Sequence, residues 1–265
     1  MSDSVTGTTG LWDRGASLAS RLITRALPLS SPMGGRAYVK LYDWYKSRVD
    51  EKLIRCALRQ VRPGDIAVDI GANVGFYSLR LARTIGPSGA VIAFEPGSWA
   101  SGHLARRARA QGLHNLRLHQ AAVGESQGEA TLFLGDFPAD SRLWAPPRVT
   151  SCETVPVVTL DSVLDPSGQP PSLIKVDTQG AEVQVINGMR RTLADAPERF
   201  GVLLELWPAG LRAAGNDPAE LFGLMEEHRL RAFTISSDGT TIAASQAELL
   251  QRCREHGYTD VFFGR

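Results

Sequence analysis

A buried strand that runs into a glycine turn and on into a helix constrains a chain more than any other local pattern. Residues 66–76 spell one: Ile-Ala-Val-Asp-Ile-Gly-Ala-Asn-Val-Gly-Phe. The β-branched run Ile66, Val68, Ile70 suits an interior strand, and Phe76, Leu79, Leu81 and Ala82 restart at helical spacing. Gly71 and Gly75 suit a turn of unusual φ/ψ, and the missing side chains let a ligand approach the backbone. The unit expected here is strand, turn and helix, with the turn amides of the Gly71–Gly75 segment left free.

The spacing decides what such a turn holds. The G-x-G-x-x-G order that sets a pyrophosphate on a helix start is absent, and Asp69 stands where that anion would lie. A ligand carrying an ammonium and an adenosine fits better: Asp69 meets the amino group, and the turn amides meet a carboxylate. S-adenosylmethionine is such a ligand. About twenty residues on, Ala90-Val91-Ile92-Ala93-Phe94 ends in Glu95, and an acid at the tip of the second strand can accept from two vicinal ribose hydroxyls. Ala121 and Ala122, after a third strand at 116–120, leave room for a flat ring. The plain alternative is an ordinary βαβ unit with a tight turn.

Further along, Leu173-Ile174-Lys175-Val176-Asp177 is a strand ending in an acid, with a helix from about Ala181 that carries Glu182. Val202 to Leu206 is another strand, with Glu205 near its tip and Trp207-Pro208 after it. Two closing strands, 232–236 and 261–263, follow. Strands alternating with helices make a doubly wound α/β sheet. Before it, residues 1–10 read as a flexible tail, and 11–61 as an N-terminal helical segment with helices at 11–27 and 36–61. That segment is a candidate lid or acceptor-binding element through Tyr38, Tyr42, Trp44 and Tyr45. Residues 62–265 form the main domain, and 135–151 read as a loop in which Arg142 and Trp144 are candidate substrate contacts.

Composition bounds the partners. With 265 residues and a net charge of +1, no strong field invites nucleic acid, and Arg106, Arg107 and Arg109 read as a solvated helix face. No apolar run approaches the roughly 18 residues of a membrane span, so no membrane span is expected. Three scattered cysteines argue against a disulfide framework, and a cytoplasmic location is the expectation. The five histidines carry no metal spacing, and His119 alone falls near the cofactor end.

Taken together, Val-Asp-Ile-Gly-Ala-Asn-Val-Gly-Phe-Tyr-Ser (68–78), Val-Ile-Ala-Phe-Glu-Pro (91–96), Ala-Ala-Val-Gly (121–124), Val-Thr-Leu-Asp (158–161) and Ile-Lys-Val-Asp-Thr-Gln-Gly-Ala-Glu (174–182) closely resemble the FkbM-type methyltransferases. The resemblance implies a Rossmann-like class I fold, a seven-stranded sheet with an antiparallel last strand. It also implies S-adenosyl-L-methionine as cofactor and O-methylation of a sugar, glycolipid or polyketide- or peptide-type natural product. Cofactor contacts then fall on Asp69, Gly71, Ala72, Asn73, Gly75, Phe76, Tyr77, Glu95, Pro96, Ala121, Ala122 and Asp177. One departure stands out: the family usually has Glu where this chain has Gln179.

Open α/β sheets bind ligands beyond the carboxyl ends of their strands, so Asp177 and Glu205 are expected to face the methyl, with Glu182 nearby. Either one of these is the general base, or Asp177 and Glu205 jointly hold a divalent cation; the metal-free base is preferred. Lys175, two residues before Asp177, shares its side. N-methylation, carboxyl methylation and a non-catalytic protein keeping the fold are the alternatives. The oligomeric state is left open, a homodimer included.

Overall fold

The computed structural model describes residues 31–135, 138–146, 149 and 151–265. The tail expected over 1–10 and the helix expected over 11–27 lie outside the described residues.

Helix α1 spans Pro32–Val49, with Pro at its start and the Ser31 hydroxyl accepting from the Gly34 amide at 3.0 Å. These two signals start the helix earlier than expected and carry Gly34 and Gly35 into it. At Asp50, φ −99° and ψ 16° interrupt the helix before α2 (Glu51–Gln60). The single helix expected over 36–61 is therefore two. The break has a cause: the Asp50 carboxylate accepts from the Tyr77 hydroxyl at 2.8 Å and pairs with Lys46, which fixes the chain there against the next domain element.

Next come β1 (Ile66–Ile70), α3 (Phe76–Ile85), β2 (Ala90–Phe94), α4 (Ser98–Ala110) and β3 (Leu116–His119). Then β4 (Ala122–Val123), β5 (Gly128–Leu134) and β6 (Ser151–Val158) leave the main sheet and make a small one of order β4-β6-β5. After α5 (Leu160–Val163) the main sheet resumes with β7 (Leu173–Val176), α6 (Glu182–Asn187), α7 (Arg190–Ala194) and β8 (Gly201–Leu206). The chain closes with α8 (Pro208–Ala213), α9 (Pro218–Glu227), β9 (Arg231–Ile235), β10 (Thr241–Ala243), α10 (Gln246–His256) and β11 (Thr259–Gly264).

The main sheet has eight strands in the order β10-β9-β11-β8-β7-β1-β2-β3. Strands β1, β2, β3, β7 and β8 run parallel, and β11 enters antiparallel between β8 and β9. The expected count of seven is one short. The turn at Asp238-Gly239 folds a three-residue strand, β10, back on β9 as an exposed edge.

Alternate strand residues face opposite sides. Val68, Ile70, Ile174, Val176, Val202 and Leu204 pack on one side with α6, α9 and α10. Ala67, Val91, Leu173, Leu203 and Phe262 pack on the other with α2 and α3. Following the second side toward the strands' carboxyl ends, the apolar row gives way to Asp69, Lys175, Glu205 and Asp260. Asp69 is paired in register with Lys175, and Glu205 with Asp260. Arg107 is not a freely solvated side chain: it reaches from α4 to the Val74 carbonyl and to Asp43 on α1, and so holds α1 on this side of the glycine turn.

Candidate active site

Above the carboxyl ends of β1, β2, β7 and β8 opens a cleft of about 540 Å³, within the roughly 300–1,000 Å³ usual for small-molecule sites. Its floor is set by a close approach. Gly71 has φ +81°, and a Cβ there would stand 1.9 Å from the Asp177 carbonyl oxygen. Only glycine lets the tips of β1 and β7 meet this closely.

At the β2 end, Glu95 is buried and lines the cleft. One oxygen accepts from the Asn73 amide at 2.8 Å and the other from the Gly97 amide at 2.9 Å. Burial pushes its carboxyl up to about 7 against the pull of those two amides. Beside it, Ala121, Ala122, Phe94 and Leu132 make an apolar slot, with Pro96 at its rim. A slot for a flat ring next to a fixed carboxylate suits an adenosine, so the residues present fit S-adenosylmethionine.

The turn itself differs from expectation. The Gly71 and Ala72 amides both donate to the Phe94 carbonyl at 3.0 Å, Asn73 to Glu95, Val74 to the Asn73 side chain at 2.7 Å, and Gly75 to the Ala72 carbonyl at 2.9 Å. All five amides are committed within the protein, so none is left free for a ligand carboxylate. Asp69 is fully buried and is not among the residues lining the cleft. Its Oδ2 accepts from the Ser78 hydroxyl and its Oδ1 lies 3.6 Å from the Lys175 ammonium. Ala72, Gly75 and Phe76 likewise stand behind the wall, whereas Gly71, Asn73 and Tyr77 are on it.

At the β7–β8 end, Lys175 lies 3.4 Å from Asp177 and over the Tyr77 ring at 4.9 Å. Burial works to raise the Asp177 carboxyl, but Lys175 and Lys46 outweigh it and hold it below the usual range. Glu205 goes the other way: burial and then the charges of Asp177 and Asp260 push it well above the usual glutamate value. Between the two acids sits Gln179. Its amide nitrogen donates to Asp177 at 3.0 Å and to Glu205 at 3.3 Å. The residue is left-handed, φ 56°, and Trp144 secures its carbonyl with an indole N–H at 2.8 Å.

Glu182 is buried away from the cleft. Its Oε1 gathers the Thr178 and Gly180 amides at 3.2 and 3.1 Å and the Thr178 hydroxyl at 3.1 Å. It shapes the loop that carries Gln179 rather than facing a ligand. Arg142 lines the cleft and lies over Trp144 and Trp207 at 4.8 and 5.7 Å. Trp144 lines a second, smaller cavity. His119 stacks on Phe94 at 5.0 Å and does not line the cleft.

Among the lining groups that escaped the sequence reading are Lys46 and Asp50 from α1 and its end, and Tyr258 and Asp260 from β11 and the turn before it. The i, i+4 spacing of Lys46 and Asp50 was the available signal. Nothing local marks Asp260, which reaches the site only because β11 inserts beside β8. Among the described residues no group of three or more His, Cys, Asp or Glu is arranged to hold a metal ion. No helix among them is long and apolar enough to cross a membrane.

A doubly wound sheet with an antiparallel strand inserted near one edge, a glycine turn after β1 and a cleft carboxylate after β2 define an S-adenosylmethionine-dependent methyltransferase of the Rossmann-like class. The profile of the methyltransferase FkbM domain matches residues 69–229. The chain belongs to the FkbM methyltransferase family. A search of curated proteins found no match. Solved structures that it resembles include a precorrin-6y C5,15-methyltransferase from Geobacter metallireducens, 12% identical over 81% of this chain and 88% of that one, TM-score 0.45. An rRNA methylase from Streptococcus thermophilus is 12% identical over 81% and 93%, TM-score 0.44. A geranyl diphosphate methyltransferase in complex with S-adenosylmethionine is 14% identical over 89% and 92%, TM-score 0.49. The family assignment rests on the profile match, not on these likenesses.

Proposed function

We propose that the enzyme methylates a hydroxyl oxygen of a small molecule, a sugar, glycolipid or polyketide- or peptide-type natural product. The observation that carries this reading is the pair of cleft-lining acids, Asp177 and Glu205, bridged by the Gln179 amide. A hydroxyl must lose its proton as its oxygen gains a methyl group, and a carboxylate of raised pKa is a suitable acceptor for it. Glu205 is the better base, because its proton affinity is higher. Asp177 stays ionised, and its negative charge favours a cationic donor centre at the β7 tip.

Bound S-adenosylmethionine supplies an already activated methyl group, so the protein's part is alignment, desolvation and proton removal. Glu95 and the alanine slot hold the adenosine. Tyr42 and Tyr45 on α1, with Trp207 and Tyr258, also line the cleft, and we assign these aromatic side chains to the acceptor. A shared divalent cation would need oxygens of Asp177 and Glu205 that the Gln179 N–H groups approach, which favours the metal-free base.

The test uses labelled S-adenosylmethionine with a panel of sugars, glycolipids and polyketide alcohols beside amines and carboxylic acids. O-methyl products are expected, lost in Glu205→Gln with S-adenosylhomocysteine affinity kept. Methylation of amines or acids alone would contradict the oxygen acceptor.

A further inference from the structure

The committed turn amides and the withdrawn Asp69 leave a question that the cleft itself answers. An amino-acid tail brings a carboxylate, which needs a donor inside a partly desolvated site. Among the described residues, the lysines and arginines lining the cleft are Lys46, Arg142 and Lys175. Lys175 is wedged between Asp69 and Asp177 and packed on Tyr77. Arg142 is paired with Asp140 and lies against the Trp144 and Trp207 rings.

Lys46 differs. Its salt bridge is to Asp50, the residue that also takes the Tyr77 hydroxyl, and an ammonium has three donors. The ion pair and hydrogen bond anchor it from α1 against the helix that follows the glycine turn. Its side chain keeps 17% of its surface exposed. Burial would lower its pKa, but Tyr42, Asp50 and Asp177 raise it well above the ordinary lysine value, so the cation persists at neutral pH. Gly71, Asn73 and Tyr77 line the cleft with it, and its charge acts on Asp177 at the β7 tip.

We propose that Lys46 receives the carboxylate of the donor's amino-acid tail, which makes α1 part of the donor site although it lies outside the matched 69–229 region. This rests on S-adenosylmethionine being the donor. An anionic group on the acceptor would meet the same cation by the same chemistry, so the test separates the two sources.

Calorimetry of the wild type, Lys46→Met and Lys46→Arg with S-adenosylhomocysteine and with 5′-methylthioadenosine, which lacks the tail, reads the effect without turnover. Loss of one charge-assisted contact weakens S-adenosylhomocysteine roughly 10- to 100-fold in Lys46→Met. Affinity for 5′-methylthioadenosine is expected to be equal in the two proteins, and Lys46→Arg to recover most of the loss. Equal weakening of both ligands would mean that Lys46 only packs α1, and would overturn the proposal. So would unchanged S-adenosylhomocysteine affinity with a raised acceptor KM, which would give Lys46 to the acceptor. If the wild type bound 5′-methylthioadenosine but not S-adenosylhomocysteine, the donor assignment itself would fall.

Discussion

Burial pushes the Glu95 carboxyl up to about 7, although the two backbone amides that hold it favour the ionised form. Ribose hydroxyls donate best to the ionised form, so donor affinity should fall as the pH drops below about 7. Glu95→Gln should bind weakly and without that pH dependence; a slope equal to the wild type's, measured by calorimetry, would count against the contact. Gln179 supports a second expectation. In Gln179→Glu the bridging donor becomes a third carboxylate beside Asp177 and Glu205, and its pKa in the folded state must rise. A raised carboxyl stabilises the fold below its unfolded value, and that contribution is lost as the pH climbs through the folded value. The melting-temperature deficit of Gln179→Glu against the wild type should therefore widen from acid to neutral pH; a constant deficit would mean that the acids do not feel one another. Residues such as Glu95 and Asp177 were legible in the sequence because each ends an apolar strand run. Asp69 was legible as an acid but not as a buried one, since its retreat depends on Ser78 and Lys175. Lys46 carried only its i, i+4 spacing to Asp50 as a signal, and Asp260 carried none, because distant segments bring both to the cleft.

The elements depend on a few contacts that sequence periodicity does not encode. Gly71→Ala would drive a methyl into the Asp177 carbonyl, whereas Gly86, at φ +72°, has nothing within 4 Å. Gly86→Ala has room but must hold φ +72° and ψ −178°, a region almost reserved for glycine, and should cost about 1–3 kcal/mol. Gly71→Ala adds a backbone clash to its own positive φ and should cost more, on the order of 3–5 kcal/mol, and abolish donor binding. Denaturant titration of the two variants checks this, and equal losses would remove the argument for close β1–β7 contact. Asp161, in the Val-Thr-Leu-Asp motif, accepts from the Arg191 and Thr192 amides at 2.8 and 2.9 Å and from the Thr192 hydroxyl at 2.6 Å. It holds the start of α7, and Asp161→Ala should lose about 2 kcal/mol with donor affinity kept. Strand and helix order was legible because hydrophobic spacing switches cleanly at Gly71, Pro96 and Gly180. The break at Asp50 and the extra strand β10 were not, because the first answers to Tyr77 and Lys46 and the second to the β9 edge.

At the scale of the molecule, the first and last described elements, α1 and β11, converge on one face of the sheet. Helix α1 and its end bring Lys46 and Asp50, and β11 brings Asp260, to a cleft most of whose lining lies within residues 69–229. Burial, and next the charge of Asp50, push the Asp260 carboxyl up to about 7, so the acceptor end carries acids whose ionisation depends on groups from outside the family region. Turnover should accordingly rise with pH as Glu205 gives up its proton, well above the range of an ordinary glutamate, and Glu205→Gln should flatten that limb. All of this depends on the cleft taking an adenosyl donor with no phosphate. Calorimetric titration of the wild-type protein with S-adenosylmethionine and, separately, with NADH addresses that most directly. Saturable binding of S-adenosylmethionine, lost in Glu95→Ala, with no heat from NADH is the predicted result; binding of NADH without S-adenosylmethionine would contradict it.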